Sequence, residues 1–309
     1  MAPDFHRLLS EEILRWLPRD RDNLAVVASL NAMSSGELTI RFVNWLDRLI
    51  HPHPRQVFLS REITSNPRYN KHIADVAMLM LMVERGDELT PHLSRSIRHG
   101  YELPRLKGKN LNRRKDLDMM LNDWGVHHLH LSADVEGDSF VRRNDILLFA
   151  IFTDTAAFFL DLCRHGEWTN QHIVEVAVRN WPDQELFYKL EGVVAGGGYT
   201  AEQHKTLRGA GITAMIQVDG VAYMSRSAGI NTVGNSGRSM MKAMRLNREL
   251  REVERRLRDD PHYFRADIER MGKVYPDQPE FRVELFRGGI GFGFGIREVK
   301  SQAIFPIHW

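Results

Sequence analysis

Apolar residues recur at helical spacing through the first hundred positions and change to short alternating or continuous runs after His127, which predicts helices first and sheet afterwards. Ser34 and Glu37 have capping-box spacing ahead of Leu38, Phe42, Trp45 and Leu49, and Pro52 closes that pattern. Asn66 with Pro67 reads as the start of a second helix and Gly86 as its end. The expected buried face of that helix is Ile73, Ala77, Met80 and Leu81, with Val76 and Val83 beside it. A short helix is expected from Thr90-Pro91 until Gly100, and residues 100–114 lose the apolar period and read as a loop.

Three runs, at 127–131, 141–153 and 156–162, are strand-like with turns at Gly137 and Asp154, and predict an antiparallel three-strand meander. Thr169 then caps a helix carrying Ile173, Val176, Ala177 and Val178, which Trp181-Pro182 terminates. After the Gly-rich break at 196–198, Thr200 and Gln203 repeat the capping-box spacing. Asp219-Gly220 between two apolar runs predicts a two-residue type I′ hairpin. A long helix over about 236–258, a shorter one from Asp260-Pro261 to Gly272, and strands at 281–286 and 291–296 complete the chain. The class is α+β: a helical N-terminal region, an antiparallel meander with a closing helix, then a smaller α+β domain. No repeat of 20 to 50 residues interrupts this order.

A length of 309 residues favours two domains, expected at 1–190 and 199–309. With 43% hydrophobic and 27% charged residues, the chain falls outside the disordered and collagen-like classes. A net charge of +2 provides no global basic field, so any polyanion site must be local. Arg outnumbers Lys 33 to 9; its planar fork suits phosphate oxygens, although genomic base composition produces the same bias. Cys163 is alone, which excludes an internal disulfide and a Cys-rich zinc motif, and its neighbours Phe159, Leu160 and Leu162 suggest a buried thiol. A charged N-terminus unlike a secretory leader, and apolar windows too short for a bilayer, make a cytoplasmic location the expectation, with no membrane partner.

The most unusual local composition is His127-His128-Leu129-His130. On a strand, His128 and His130 share one face while His127 points the other way with Leu129. Three readings follow. A metal site needs further ligands, which His165 or Asp161 on the third strand would supply if the meander brings them close; a polar strand edge needs only local hydrogen bonds; a general acid/base pair uses the imidazole's titration near neutrality. The acid/base reading is the working one, with no metal and no cofactor expected. RNA is the matching substrate, because its 2′-hydroxyl attacks the adjacent phosphate when one group removes a proton, another protonates the leaving 5′-oxygen and a cation steadies the charge. Arg142 and Arg143, expected on the next strand, are the candidate cations, only one of which can share the His face. His165 is a further member of the candidate catalytic set, and Asp161 a candidate to orient an imidazole.

Upstream, Arg105, Lys107, Lys109, Arg113, Arg114 and Lys115 put six cations into eleven positions, a phosphate-backbone candidate or a solvated basic loop. The basic loop, the 127–131 strand, the strand carrying Arg142 and Arg143, the strand ending at His165 and the closing helix together resemble the RelE/HigB-like toxin ribonucleases over about residues 103–187. That resemblance implies an endoribonuclease, toxin-like or defence-associated, with RNA as substrate and a protein partner or inhibitor.

Two further motifs invite bland readings. The glycine-rich segment 229–237 before the long helix lacks a Walker ending and reads as a turn. The alternation of glycine with Phe292 and Phe294 reads as close backbone packing with aromatic burial. The function expected is metal-independent endoribonuclease activity with His128 and His130 as acid and base; the alternative is a non-catalytic nucleic-acid or protein-binding component of an assembly.

Overall fold

The computed structural model describes residues 3–103, 111–193, 198–288 and 291–309 and is a mixed α+β fold in which N-terminal helices precede the sheets. The chain opens with α1 (Phe5–Trp16), α2 (Leu24–Asn31) and α3 (Ser35–Leu46), followed by β1 (Gln56–Leu59), α4 (Arg61–Ser65) and α5 (Tyr69–Arg85). Next come α6 (Met119–Trp124), β2 (His127–His130), β3 (Ile146–Phe152), β4 (Ala156–Arg164) and α7 (His172–Asn180). The remainder is β5 (Phe187–Lys189), α8 (Ala201–Gly209), β6 (Ile216–Val218), β7 (Val221–Ser225), α9 (Gly237–Asp259), α10 (Arg265–Arg270), β8 (Phe281–Arg287), β9 (Phe292–Glu298) and β10 (Ala303–Ile307). Among the described residues, no helix is long and apolar enough to cross a membrane.

The central sheet has the order β1-β4-β3-β2. β2, β3 and β4 pair antiparallel, and β1 adds to the far side of β4 in parallel, a strand for which Gln56-Val57-Phe58-Leu59 is too short a local signal. β2 is left as the edge strand, so the histidine run lies where the sheet meets its surroundings. One face, with Leu147, Phe149, Phe158 and Leu160, packs against Ile173 and Ala177 of α7 and against Ile216 and Val218 of β6. The other, with Leu129, Leu148 and Phe159, packs against Ile63 of α4 and Val76, Leu79 and Val83 of α5.

Local signals decide where the elements begin and end. Ser34 and Glu37 form the reciprocal capping box of α3, and Thr200 and Gln203 do so for α8. Asp219 and Gly220 both take positive φ, 50° and 79°, as a type I′ turn between β6 and β7 demands. Gly86 ends α5 with φ 76°, but Asn66 does not start it. Asn66 instead donates from Nδ2 to Asp161 and to the Leu162 carbonyl, tying the loop to β4, and α5 begins at Tyr69. The buried face of α5 also differs from the expected one. His72, Val76, Leu79 and Val83 face the sheet, whereas Ile73 and Leu81 are 49% and 50% exposed. The helix is apolar around more of its circumference than one contact can cover, and the sheet selected the stripe.

Packing joins segments that lie far apart in sequence. Phe5, Leu9, Leu30 and Phe42 of α1–α3 share one core with Leu246 and Leu250 of α9 and with Val283 and Phe294 of the β8-β9-β10 sheet. The buried Glu12 carboxylate accepts the Leu285 N–H at 3.0 Å and the Trp16 indole N–H at 2.9 Å, fastening α1 to β8. β5 pairs with β7, which lies on the other side of residues 191–198. Described residues before and after the Gly-rich stretch thus share a sheet and cores. In β9, a Cβ on Gly293 or Gly295 would come within 3.0 Å of the Phe286 ring, which explains the alternation of glycine with Phe292 and Phe294.

Candidate functional site

β2 presents His128 and His130 on one face, opposite Phe149 and Leu147 of β3. Their rings are 6.4 Å apart between centroids. The loop after β4 brings Trp168 against this pair: its ring stacks on Phe149 at 5.7 Å and lies 4.8 Å from both His128 and His165. His165 is exposed and held by its backbone N–H, which donates to the Asp145 carbonyl at 2.8 Å. His128, His130, His165 and Arg143 thus line one cleft of about 300 Å³, together with Asp118, Trp168, Lys205 and Arg208.

Asp118 serves two elements. One oxygen accepts the Leu121 N–H at 3.1 Å and caps α6, while the other lies 3.4 Å from His128 Nδ1, in ion-pair range without hydrogen-bond alignment. Burial lowers the His128 pKa, and the Asp118 carboxylate opposes that by favouring the imidazolium. His130 is 2% exposed and its Nδ1 has no hydrogen-bond partner among the described residues. Burial, reinforced by the positive charge of Arg143, pushes it down to about 3, so it is neutral at physiological pH. Its backbone carbonyl accepts from the buried His92 ring at 2.9 Å, which fixes the end of β2.

The far wall of the cleft comes from α8. Arg208 is 2% exposed, pairs through Nε with Asp123 at 2.9 Å, lies 4.2 Å over the Trp124 ring and donates through Nη1 to the Trp168 carbonyl. It ties the Trp168 loop to α6 and α8 at once. Asp118, Trp168, Lys205 and Arg208 are cleft residues that sequence reasoning missed. The N-cap position of Asp118 before Met119-Met120-Leu121 was a usable signal; α8 is some eighty residues from α6, and nothing local announces that they meet.

The remaining sequence candidates separate. Arg142 and Arg143 are not on a strand, because Val141 makes only an isolated bridge with Val135 and β3 starts at Ile146. Arg143 reaches the cleft, whereas Arg142 is exposed and faces Asp134 at 3.3 Å. Asp161 lies 3.7 Å from His172 Nε2 and raises that imidazole's pKa, so it orients His172 and none of the cleft histidines. His127 turns the other way, with Nε2 3.3 Å from the Asp47 carbonyl and its ring edge-on to Phe152.

Of the basic loop, Arg105, Lys107 and Lys109 lie outside the described residues. Arg114 turns inward, bridging both Asp116 oxygens and the Glu102 carbonyl, so its charge is used structurally. Arg113 and Lys115 are exposed, and the chain runs from them into Leu117–Met120, which lines the cleft. In the 229–237 segment, the N–H groups of Gly237 and Arg238 donate to the Gly229 and Ser227 carbonyls, which leaves them no freedom to hold an anion. Among the described residues, no group of three or more His, Cys, Asp or Glu side chains is placed to hold a metal ion. No protein-family model, no curated protein and no solved structure matches this chain.

Proposed function

We propose that the cleft between β2, the β4–α7 loop and α8 is the active site of a metal-independent endoribonuclease. The observation that carries the reading is the convergence of His128 and His165, each 4.8 Å from the Trp168 ring, with Arg143 in the same cleft. A neutral His128 takes the proton of an RNA 2′-hydroxyl as its oxygen bonds to phosphorus, and Asp118 stabilises the imidazolium that forms. His165 in its protonated form gives a proton to the departing 5′-oxygen, so the products are a 2′,3′-cyclic phosphate and a 5′-hydroxyl. Arg143 faces the charge that accumulates on the phosphoryl oxygens. His130 carries no exchangeable role at neutral pH, because it is already neutral and too weakly basic; it supports the His128 ring.

The exposed Arg113 and Lys115 suit the flanking backbone, and a toxin-like or defence-associated role, a cytoplasmic setting and a protein inhibitor belong to the same reading. Purified protein is incubated with structured and unstructured RNA in EDTA, beside His128→Ala and His165→Ala. Cleavage lost in both folded variants is the expected result. Intact RNA that is nonetheless bound would assign the cleft to a non-catalytic nucleic-acid-binding component, and cleavage that requires an added divalent ion would overturn the metal-independent mechanism.

A further inference from the structure

At the His127 end of β2, away from the cleft, two cavities of about 440 and 400 Å³ run into each other. They share Asp47, His127, Phe152, Thr153, Asp154 and Arg238, so they are two halves of one trough. All three sheets contribute to it: Phe152 from β3, Tyr188 from β5 and Phe292 from β9. A junction of separate cores is where ligand pockets concentrate, and each half lies within the usual range of about 300–1,000 Å³ for a small-molecule site.

The halves have the same chemistry around a central cation. One carries Phe292 and Trp309, the other Tyr188, and Phe152 belongs to both; Trp124 also borders the second half, but it is buried beneath Arg208 and offers no face to a ligand. Charge in the trough is unevenly spent. Asp47 is satisfied by Lys242 Nζ at 2.7 Å and Ser239 Oγ at 2.8 Å, and the buried Arg55 donates to the Thr153 and His51 carbonyls next to Asp154. Arg238 is exposed, and among the described residues its guanidinium has neither a hydrogen bond nor an ion pair. Among the described residues Arg226 has only the Tyr188 ring, 5.5 Å below it. An aromatic half, an unpaired guanidinium and a second aromatic half form a sequence that matches base, phosphate, base.

We infer that this trough binds a ligand with two aromatic bases joined through phosphate. The phosphate lies at Arg238, one base enters the half lined by Tyr188 under Arg226, and the other enters the half lined by Phe292 and Trp309. Two sources share that chemistry, a free dinucleotide and two consecutive nucleotides of a single strand. The inference does not rest on the nuclease reading, since the trough and the cleft use different faces of β2.

Calorimetric titration of the full chain with nicotinamide adenine dinucleotide, cyclic di-AMP, a single-stranded oligodeoxythymidine and AMP tests it. At least one two-base ligand is expected to bind about tenfold or more tighter than AMP, and Arg238→Ala to weaken it about tenfold, the worth of one charge-assisted hydrogen bond. Because Arg238 is exposed, the variant is expected to fold, and its circular dichroism checks this. Binding by the free dinucleotides alone identifies a small molecule as the source; binding by the oligonucleotide identifies a strand. His128→Ala is expected to bind unchanged, whatever its effect on RNA cleavage. Equal affinity for AMP, no binding by any of the four, or undiminished binding by Arg238→Ala would overturn the inference.

Discussion

Asp118 Oδ2 lies 3.4 Å from His128 Nδ1 while its other oxygen caps α6, so the start of one helix and the charge state of one imidazole are set by a single carboxylate. Asp118→Asn keeps an oxygen for the cap and removes the charge. The imidazolium of His128 loses its stabilising partner, so its pKa should fall further below the ordinary value. Two-dimensional NMR titration of the ring reads this directly. If His128 is the base, the acidic limb of the cleavage profile should move to lower pH by the same amount; an unmoved limb would remove His128 from that role.

His130 and His127 are held at about 3 and about 4, against an ordinary 6.5, so the unfolded chain takes up protons at these sites before the folded chain does. Their contribution to stability is complete above the ordinary value and is lost as pH falls toward the folded values. Urea denaturation followed between pH 7 and pH 4 should show a steep decline, and His130→Leu should flatten it relative to the parent. A parent curve with no slope across that window would contradict the burial of these rings.

Arg208 and Asp123 form an ion pair in which both side chains are almost wholly buried. Removing one partner leaves the other charge without compensation, so Asp123→Ala should cost about 3–5 kcal/mol by denaturant unfolding. Arg208→Met, which also frees the Trp168 carbonyl, should be comparably damaging unless Asp123 takes up a proton, as its burial already encourages.

Gly86 and Gly137 make a matched pair. A Cβ on Gly86 would lie 2.5 Å from the backbone of His53 and Pro54 at a φ of +76°, whereas a Cβ on Gly137 meets nothing within 4 Å among the described residues. Gly86→Ala should therefore lower stability by about 2 kcal/mol or more, since neither the φ nor the facing backbone can yield, and Gly137→Ala should be near neutral. Thermal melts of the two variants decide this.

Cys163 is buried in the core of the central sheet, where desolvation pushes its thiol well up from the ordinary range. A thiol reagent should leave the native chain unmodified and label it at the rate of unfolding when urea is added.

Much of this architecture was legible in the chain, because capping and turn chemistry act over three or four residues. Ser34 with Glu37, Thr200 with Gln203, Asp219-Gly220 and Gly86 did what their local stereochemistry requires. The period-two alternation of β2 likewise placed His128 and His130 together and His127 apart. Choices among neighbours were not legible: which stripe of α5 meets the sheet, that β1 would join β4, and that Arg143 and not Arg142 would reach the cleft.

What the sequence alone determined is the class of the fold, the location of most helices and turns, and the composition of the histidine edge, all consequences of interactions between residues close along the chain. Tertiary structure decided the rest. Only packing brings α8 against the Trp168 loop, joins α1–α3 to α9 and the last sheet, and holds Tyr188, Arg238 and Phe292 around one trough. Those contacts depend on which apolar surfaces find one another, a competition among many partners of similar hydrophobicity that local spacing does not encode.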